Sequence, residues 1–384
     1  MPQLAGKLIL AGLIPLGAWV LHGFASCNGL IQMFEDFGKQ TVLSDGVTDY
    51  TGAFTGLEGL DRLLRTLLNF FWPVANGHDW ALSLHAFMFA GQGVPLLVLN
   101  MLEGARPGNK SLVVSYVTVF GILYMVVGLA IMAPLYLFLH LLTSRTATAP
   151  SKAKVAVDPN TAKAVGFGVF VGYVLPTIFM SLPHPSLLST DTKVLSVVFW
   201  QAVPLWASVC AYFASTALGQ SATSRSSSNL PSALGAVYAA SLIIATATHV
   251  ATFAISANLS DTWSGIFTFL IPPNPFNTDM RISSFLEGAT WFLQWDYTMM
   301  SLAYMVWAIG IRHGVEVPRS SHHFETLGKI ALRSMAKLLV MGPIGAALSL
   351  VWERDQLLWQ LDSESGEKGE KNRSRRMSRK WMFS

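Results

Sequence analysis

The sequence predicts an all-α integral membrane protein of about eight transmembrane helices with one interfacial amphipathic helix. Of the 384 residues, 52% are hydrophobic and only 12% are charged, and the mean hydropathy is +0.45. Soluble globular domains carry about 25% charged residues, so this composition indicates a chain that lies in a bilayer. Several apolar runs also reach the roughly 20 residues that a transmembrane helix needs.

The first apolar run, residues 8–30, is longer than the apolar core of a signal peptide, so we expect it to be retained as a span. Seven more spans are predicted at residues 81–103, 112–142, 162–182, 194–219, 232–256, 288–311 and 329–351. Together the runs predict a single transmembrane helical domain over residues 1–352. A charged, disordered C-terminal tail is expected over residues 353–384.

The amphipathic helix is predicted from the leucine spacing in TGLEGLDRLLRTLLNFFW, residues 55–72. Its leucines recur on one helical face, and Asp61, Arg62 and Arg65 fall opposite them. This pattern is typical of a helix that lies along the membrane surface. We expect it to lead into the aromatic cluster that ends at Trp72.

A polar stripe follows in the second predicted span. At 100° per residue, His85, Gln92 and Glu103 fall within about 20° of one line, and Asn100 lies about 60° away. Polar side chains at membrane depth face other helices or a cavity, and they mark a functional site by default. The competing interpretation is hydrogen bonding between helices, with Glu103 at the headgroup level.

A second pair of carboxylates lies in EGATWFLQWDYTMMS, residues 287–301. Asp296 is the acid deepest in an apolar run, with Trp295 and Tyr297 on either side, while Glu287 lies at the start of the segment. Low dielectric disfavours the charged form of a carboxylate, and a neutral carboxylic acid can donate a proton. The competing interpretation for Asp296 is a structural ion pair with an arginine or histidine of a neighbouring span.

Other polar and aromatic side chains are weaker candidates for the same site. His249 shares a helical face with Tyr238, where it could hydrogen-bond a carboxylate. Trp72, Trp291 and Trp295 lie near the polar spans. Tryptophans anchor helices at membrane interfaces, and in a dry pocket they can also stabilise a carbocation.

The motifs of several other functions are absent from the sequence. It contains no GxGxxG, P-loop, GxSxG or HExxH motif, no paired acidic boxes for magnesium and a diphosphate, and no CxxC. We therefore expect no cofactor and no metal. The basic segment at 368–380 suits an anionic membrane surface better than nucleic acid, because no folded basic module surrounds it.

Three stretches of the chain resemble a fungal group of membrane-bound terpene cyclases. They are NFFWPVANG at residues 69–77, HDWALSLHAFMFAGQGVPLLVLNMLEGARPGNK at 78–110 and APLYLFLHLLTS at 133–144, with a weaker likeness in FLQWDY at 292–297. The group includes the cyclases of ascochlorin and ascofuranone type meroterpenoid pathways and a macrophorin-type cyclase. The resemblance covers the whole protein and implies a multi-pass cyclase of fungal secondary metabolism, expected in the endoplasmic reticulum membrane.

The resemblance also implies a chemistry. Such enzymes cyclise a farnesyl chain on an aromatic or quinone head in an isomerase-type reaction, without a metal and without losing diphosphate. A carboxylic acid protonates a terminal epoxide, or in some members the terminal alkene. Asp296 and Glu103 are the candidate acids here. The candidate polar or aromatic partners are His85, Gln92, Asn100, Glu287, Trp72, Trp291, Trp295 and His249.

Two other functions fit the same sequence. In a transporter or exporter of a hydrophobic metabolite, the stripe at His85, Gln92 and Glu103 would line a permeation route; the lack of an internal repeat argues against this. In a scaffold, the basic tail would hold pathway enzymes at the membrane. The expected partners are a prenylated aromatic or sesquiterpenoid substrate and the lipid bilayer. The sequence predicts no particular oligomeric state.

Overall fold

The computed structural model describes residues 2–77, 79–219, 230–262, 265, 267–316 and 323–381. This part of the chain is helical apart from its loops and one isolated β-bridge between Val42 and Asp49. The predicted all-α class is therefore confirmed. The helices are α1 (Pro2–Ala18), α2 (Phe24–Asn28), α3 (Leu30–Phe37), α4 (Glu58–Asn76), α5 (Trp80–Ala105), α6 (Val117–Val127), α7 (Leu129–Thr143), α8 (Arg145–Thr148), α9 (Lys152–Val155), α10 (Pro159–Val169), α11 (Leu175–Ser181), α12 (Thr190–Trp200), α13 (Val203–Leu218), α14 (Ser232–Leu259), α15 (Phe285–Glu316) and α16 (His323–Trp381).

Five helical segments among the described residues are long and apolar enough to cross a membrane. They are Leu4–Asn28, Trp80–Ala105, Lys152–Ser181, Ser232–Leu259 and Glu325–Ser365. A sixth span results if α12 and α13, which meet at an angle of 73°, are counted as one broken span. The expected number of eight spans is not confirmed.

Two of the expected spans differ from the prediction for identifiable reasons. The apolar run at 112–142 is divided at Gly128, which has a φ of 101° and ends α6 before α7 begins. The run at 288–311 lies within the 32 residues of α15, but polar side chains such as Gln294 and Asp296 make this helix less apolar than a typical span.

The long helices pack around α15. This helix contacts α1, α5, α7 and α16, while α14 packs between α5 and α16. α16 continues past the expected domain limit at residue 352, and Arg354 and Asp355 are buried. The exact division between a domain and a tail stays a prediction.

The predicted amphipathic helix is present as α4, but of the three charged residues on its polar face only Arg62 is exposed to solvent. Asp61 and Arg65 are buried because the loop that precedes α4 folds over them. Asp61 accepts hydrogen bonds from the backbone amides of residues 54–56, and Arg65 donates to the carbonyl oxygens of Gly38 and Gly52. Leu60, on the predicted apolar face, is 41% exposed.

Candidate active site

A cavity of about 570 Å³ lies between α4, α5, α6, α11 and α15. This volume falls in the range of roughly 300–1,000 Å³ that is usual for small-molecule sites. Apolar and aromatic side chains make up most of its lining. The aromatic rings on the lining belong to Phe34, Phe70, Phe71, Phe87, Phe89, Tyr124, Tyr173, Trp200 and Phe292.

Asp296 is the one carboxylate that lines this cavity within the described part of the chain. It lies on α15 one turn after Phe292, which also lines the cavity, and it is 7% exposed. Its Oδ1 atom accepts a 2.7 Å hydrogen bond from the backbone amide of Ala130. Because α7 begins at Leu129, this amide is one of the free donors at a helix N-terminus.

Gly128 explains why the helix N-terminus points at the carboxylate. Its φ of 101° is a conformation that side chains with a Cβ rarely adopt. A Cβ on Gly128 would lie 2.4 Å from Leu21 Cδ1 and 3.3 Å from Asp296 Oδ1. The break between α6 and α7 thus needs glycine for its backbone angle and for its close approach to Leu21.

No arginine, lysine or histidine among the described residues forms an ion pair with Asp296. One turn earlier on α15, the ring of Phe292 packs edge-on against Phe34 and Phe70 at centroid distances of 5.9 and 5.5 Å. This arrangement disagrees with the structural ion pair that was the competing interpretation for Asp296.

Glu103 lies outside the cavity, in a buried ion-pair network. Its Oε1 atom is 2.8 Å from Arg106 Nε and 2.8 Å from Arg354 Nη2, and it is 1% exposed. Its Oε2 atom accepts from the Thr146 hydroxyl at 3.0 Å and lies 3.1 Å from His140 Nε2. Asn109 Nδ2 also donates to Oε2 at 3.4 Å, so five side chains hold this carboxylate.

Asp355 completes the network on the side away from Glu103. Its two oxygens pair with Arg106 and Arg354 at 2.8 Å each, and Tyr238 donates to it at 2.9 Å. Two guanidinium groups thus neutralise two carboxylates in the interior. The network joins the end of α5 to α16, which makes it a structural contact.

Gln92, another member of the polar stripe, also binds protein groups. Gln92 donates to the carbonyl oxygens of Ala245 and Met341 and accepts from the amides of Ile344 and Gly345. It thereby satisfies backbone groups where α16 bends at Gly342, whose φ is 71°.

Asn100 links two tyrosines near the cavity. Its amide donates to the Tyr124 hydroxyl at 3.3 Å, and its carbonyl accepts from the Tyr304 hydroxyl at 2.8 Å. Tyr124 lines the cavity, so Asn100 lies one contact behind the lining.

The remaining predicted site residues lie outside the cavity lining as well. His85 is fully buried and packs edge-on against Tyr297 and Phe89 at 5.4 and 6.1 Å. His249 packs against Phe253 at 5.0 Å. Glu287 accepts from the amide and the hydroxyl of Ser283, and so stabilises the start of α15.

The three tryptophans face other parts of the protein. The indole N–H of Trp72 donates to Asp45 at 3.1 Å, and the ring of Trp291 stacks on Phe24 at 6.0 Å. Trp295 is partly buried beside Asp296 in sequence but does not line the cavity. The structure therefore brings Asp296 to the cavity without the other nine predicted residues.

Sequence reasoning missed most of the actual lining. Tyr124 and Tyr173 lie in apolar runs where neither stands out from its neighbours. Gly128, inside the run at 112–142, marks the break next to Asp296, but a glycine alone does not predict a break in such a run. Arg354 lies 251 residues from Glu103, so no local pattern could have paired them.

A protein-family profile described as the CtvD domain matches residues 6–359 of this chain. The chain is similar to three fungal proteins that are named terpene cyclases. They are ctvD of Aspergillus terreus, 27% identical over 342 residues (89% of this chain, 96% of the relative); verU1 of Penicillium polonicum, 28% over 348 residues (89% and 91%); and atmA of Aspergillus flavus, 27% over 314 residues (79% and 83%). No solved structure matches the chain.

Proposed function

Because this chain belongs to the CtvD family, we propose that it is a membrane-bound terpene cyclase that starts cyclisation by donating a proton to its substrate. Its substrate is a farnesyl chain on an aromatic or related head group. The proton goes to a terminal epoxide or, in a substrate without an epoxide, to the terminal alkene. One observation carries the proposal: Asp296 is the one carboxylate on an aromatic cavity within the described residues. The relatives named as terpene cyclases support it.

In the first step, the neutral Asp296 carboxyl gives its proton to the epoxide oxygen. The C–O bond breaks while the nearest alkene forms a new C–C bond, so the positive charge moves onto the carbon skeleton. The amide of Ala130 remains bound to Oδ1 and stabilises the carboxylate that is left. The cascade ends by loss of a proton from carbon, or by attack of a neighbouring hydroxyl oxygen that then loses its own proton. One proton is gained and one is lost, so the product is an isomer of the substrate.

The cavity suits a cationic intermediate. Aromatic faces attract cations by about 2 kcal/mol or more when the pair is desolvated. Phe70, Phe292 and Trp200 present such rings on the lining. The apolar walls also keep water away from the cation, which would otherwise be quenched before ring closure.

We propose that the acid acts without a metal. Magnesium bound to a protein is held by several oxygen ligands. The cavity offers a single carboxylate, Asp296, within the described residues. The paired acidic boxes of diphosphate-binding prenyltransferases are also missing from the sequence.

Glu103 fits a structural role better than that of the proton donor. Its oxygens are occupied by Arg106, Arg354, His140 and Thr146, and it lies outside the cavity lining. The same contacts weaken the transporter alternative, because a permeation route needs polar groups that are free to meet the solute. We propose the endoplasmic reticulum membrane as the location of the protein, because a membrane suits a lipophilic substrate.

A product assay tests the function. Microsomes that contain this chain would be incubated with a farnesylated phenol and, separately, with its terminal epoxide, and the products analysed by LC–MS. We expect a new peak of unchanged mass from the epoxide. A new isomer from the plain alkene would support the alternative initiation, and no new peak from either substrate would contradict the cyclase proposal.

A further inference from the structure

We infer that Asn76 and Ser83 bind the polar head of the substrate, an inference that rests on the proposed function. Both residues line the cavity. The Nδ2 and Oδ1 atoms of Asn76 and the Oγ atom of Ser83 are buried, yet they make no hydrogen bond within the described residues. Buried polar groups are nearly always paired, so three unpaired atoms on one cavity wall indicate a missing ligand.

The two residues lie on neighbouring helix ends. Asn76 is the last residue of α4, and Ser83 lies in the first turn of α5, after a connection of three residues. The amide of Asn76 offers both a donor and an acceptor, and the Ser83 hydroxyl can play either role. This combination fits a head that carries a hydroxyl or carbonyl group, such as a phenol.

Lys193 fixes the backbone around this polar site. It is fully buried, and its Nζ donates to the carbonyl oxygens of Ala75, Met180 and Leu182 at 2.8, 2.6 and 2.7 Å. Ala75 precedes Asn76, and the other two carbonyls flank Ser181, which also lines the cavity. The ammonium group thus ties the end of α4 to the end of α11, and Asn76 is held in place before a ligand arrives.

Ring contacts between α5 and α15 lie close in sequence to both the polar site and the acid. Tyr297, the residue after Asp296, contacts His85 and Phe89 at 5.4 and 5.3 Å. Ser83 lies two residues before His85, which is about 3 Å along the helix axis. A substrate whose head meets Ser83 and whose chain end meets Asp296 would therefore lie in the cavity between α5 and α15.

The test is a binding measurement on the detergent-solubilised full chain, which does not depend on turnover. The probes are farnesylphenol and farnesylbenzene, which differ only in the hydroxyl group. The variants are Asn76→Leu and Ser83→Ala. The matched controls are Asn258→Leu, on an exposed helix surface, and Ser215→Ala, on a half-buried one outside the cavity lining. Because one neutral hydrogen bond corresponds to about a fivefold to tenfold change in affinity, we expect the wild type to prefer farnesylphenol about tenfold or more.

In each site variant the preference for farnesylphenol over farnesylbenzene should fall by about fivefold, because only farnesylphenol binds more weakly. The control variants should keep the preference of the wild type. Equal binding of both probes by the wild type, or an unchanged preference in both site variants, would overturn the inference. If Asn76→Leu fails to fold, the binding preference of Ser83→Ala alone tests the inference. If the preference is found but no product forms from either substrate, the head site stands and the cyclase proposal fails.

Discussion

The backbone amide of Ala130 donates a 2.7 Å hydrogen bond to the carboxylate of Asp296, 166 residues further along the chain. The contact crosses the break between α6 and α7 and fixes one carboxylate oxygen at the wall of an aromatic cavity. An amide side chain could accept the same hydrogen bond. The structural and the chemical contributions of this residue can therefore be separated by substitution.

We expect Asp296→Asn to lose about 10²- to 10⁴-fold in product formation while the protein remains folded. An asparagine keeps the acceptor for Ala130 but cannot give a proton, and general acid catalysis contributes a factor of this size. LC–MS of microsomal incubations measures product, and thermal melting measures folding. Asp279→Asn, on an exposed loop, is the matched control and should keep full activity. Normal turnover in Asp296→Asn would eliminate this residue as the acid.

Glu103→Gln should reduce stability rather than stop chemistry. The substitution removes a charge that faces Arg106 and Arg354 in the interior, and breaking such a buried pair costs about 3–5 kcal/mol. We expect a lower melting temperature and less folded protein, with turnover per folded molecule retained. Fluorescence-detected size exclusion gives the folded amount by which turnover is divided.

Glu58→Gln is the control for Glu103→Gln. Glu58 also pairs with an arginine, Arg65, but its side chain is 80% exposed, and exposed pairs contribute about 1 kcal/mol or less. The melting temperature of the Glu58→Gln variant should hardly change. An inactive Glu103→Gln protein with an unchanged melting temperature would instead show that Glu103 takes part in the reaction.

Gly128→Ala should impair both folding and activity. Positive φ costs a residue with a Cβ roughly 1–2 kcal/mol, and here the new Cβ would also meet Leu21 at 2.4 Å. Gly46→Ala measures the cost of the positive φ alone, because Gly46 has a φ of 72° and no atom lies near the position of the added Cβ. Melting curves and turnover of the two variants should differ clearly; equal effects would mean that the contact with Leu21 is unimportant.

The loop before α4 should make stability depend on pH in acid. The hydroxyl of Thr55, with the amides of Thr55, Phe54 and Gly56, holds the pKa of Asp61 below its ordinary value of 3.8 despite desolvation. A pKa that is lower in the folded protein stabilises the fold above the unfolded value, and this contribution disappears as the pH falls through the folded value.

Melting of the wild type and Asp61→Asn from about pH 7 to about pH 3 tests this pH dependence. The difference between their melting temperatures should be constant at neutral pH and shrink below 3.8. Asp49→Asn, an exposed substitution nearby, should follow the wild type throughout. A difference that does not change with pH would contradict the assignment.

The helical class and the burial of Asp296 could be predicted because both depend on local patterns. Apolar runs of sufficient length identify helices, and an acid between Trp295 and Tyr297 inside such a run is conspicuous. Helical spacing also placed His85, Gln92 and Glu103 correctly on one buried face of α5.

What that face meets could not be predicted. A helical wheel gives an angle about its own axis and says nothing about the neighbouring helix. Glu103 and Gln92 find their partners on α16, about 250 residues away in sequence. The break at Gly128 escaped prediction for another reason: its residue type is common in transmembrane helices, and only the backbone angle distinguishes it.

The contacts of Gln92 have a consequence for how the protein is made. The amides of Ile344 and Gly345 lie beyond the bend at Gly342, and Gln92 accepts from both. A free amide in hydrocarbon costs several kcal/mol, yet Ile344 leaves the ribosome 252 residues after Gln92. The bend in α16 therefore becomes stable in the bilayer only when α16 packs against α5, so the two helices must associate before this part of the fold is complete.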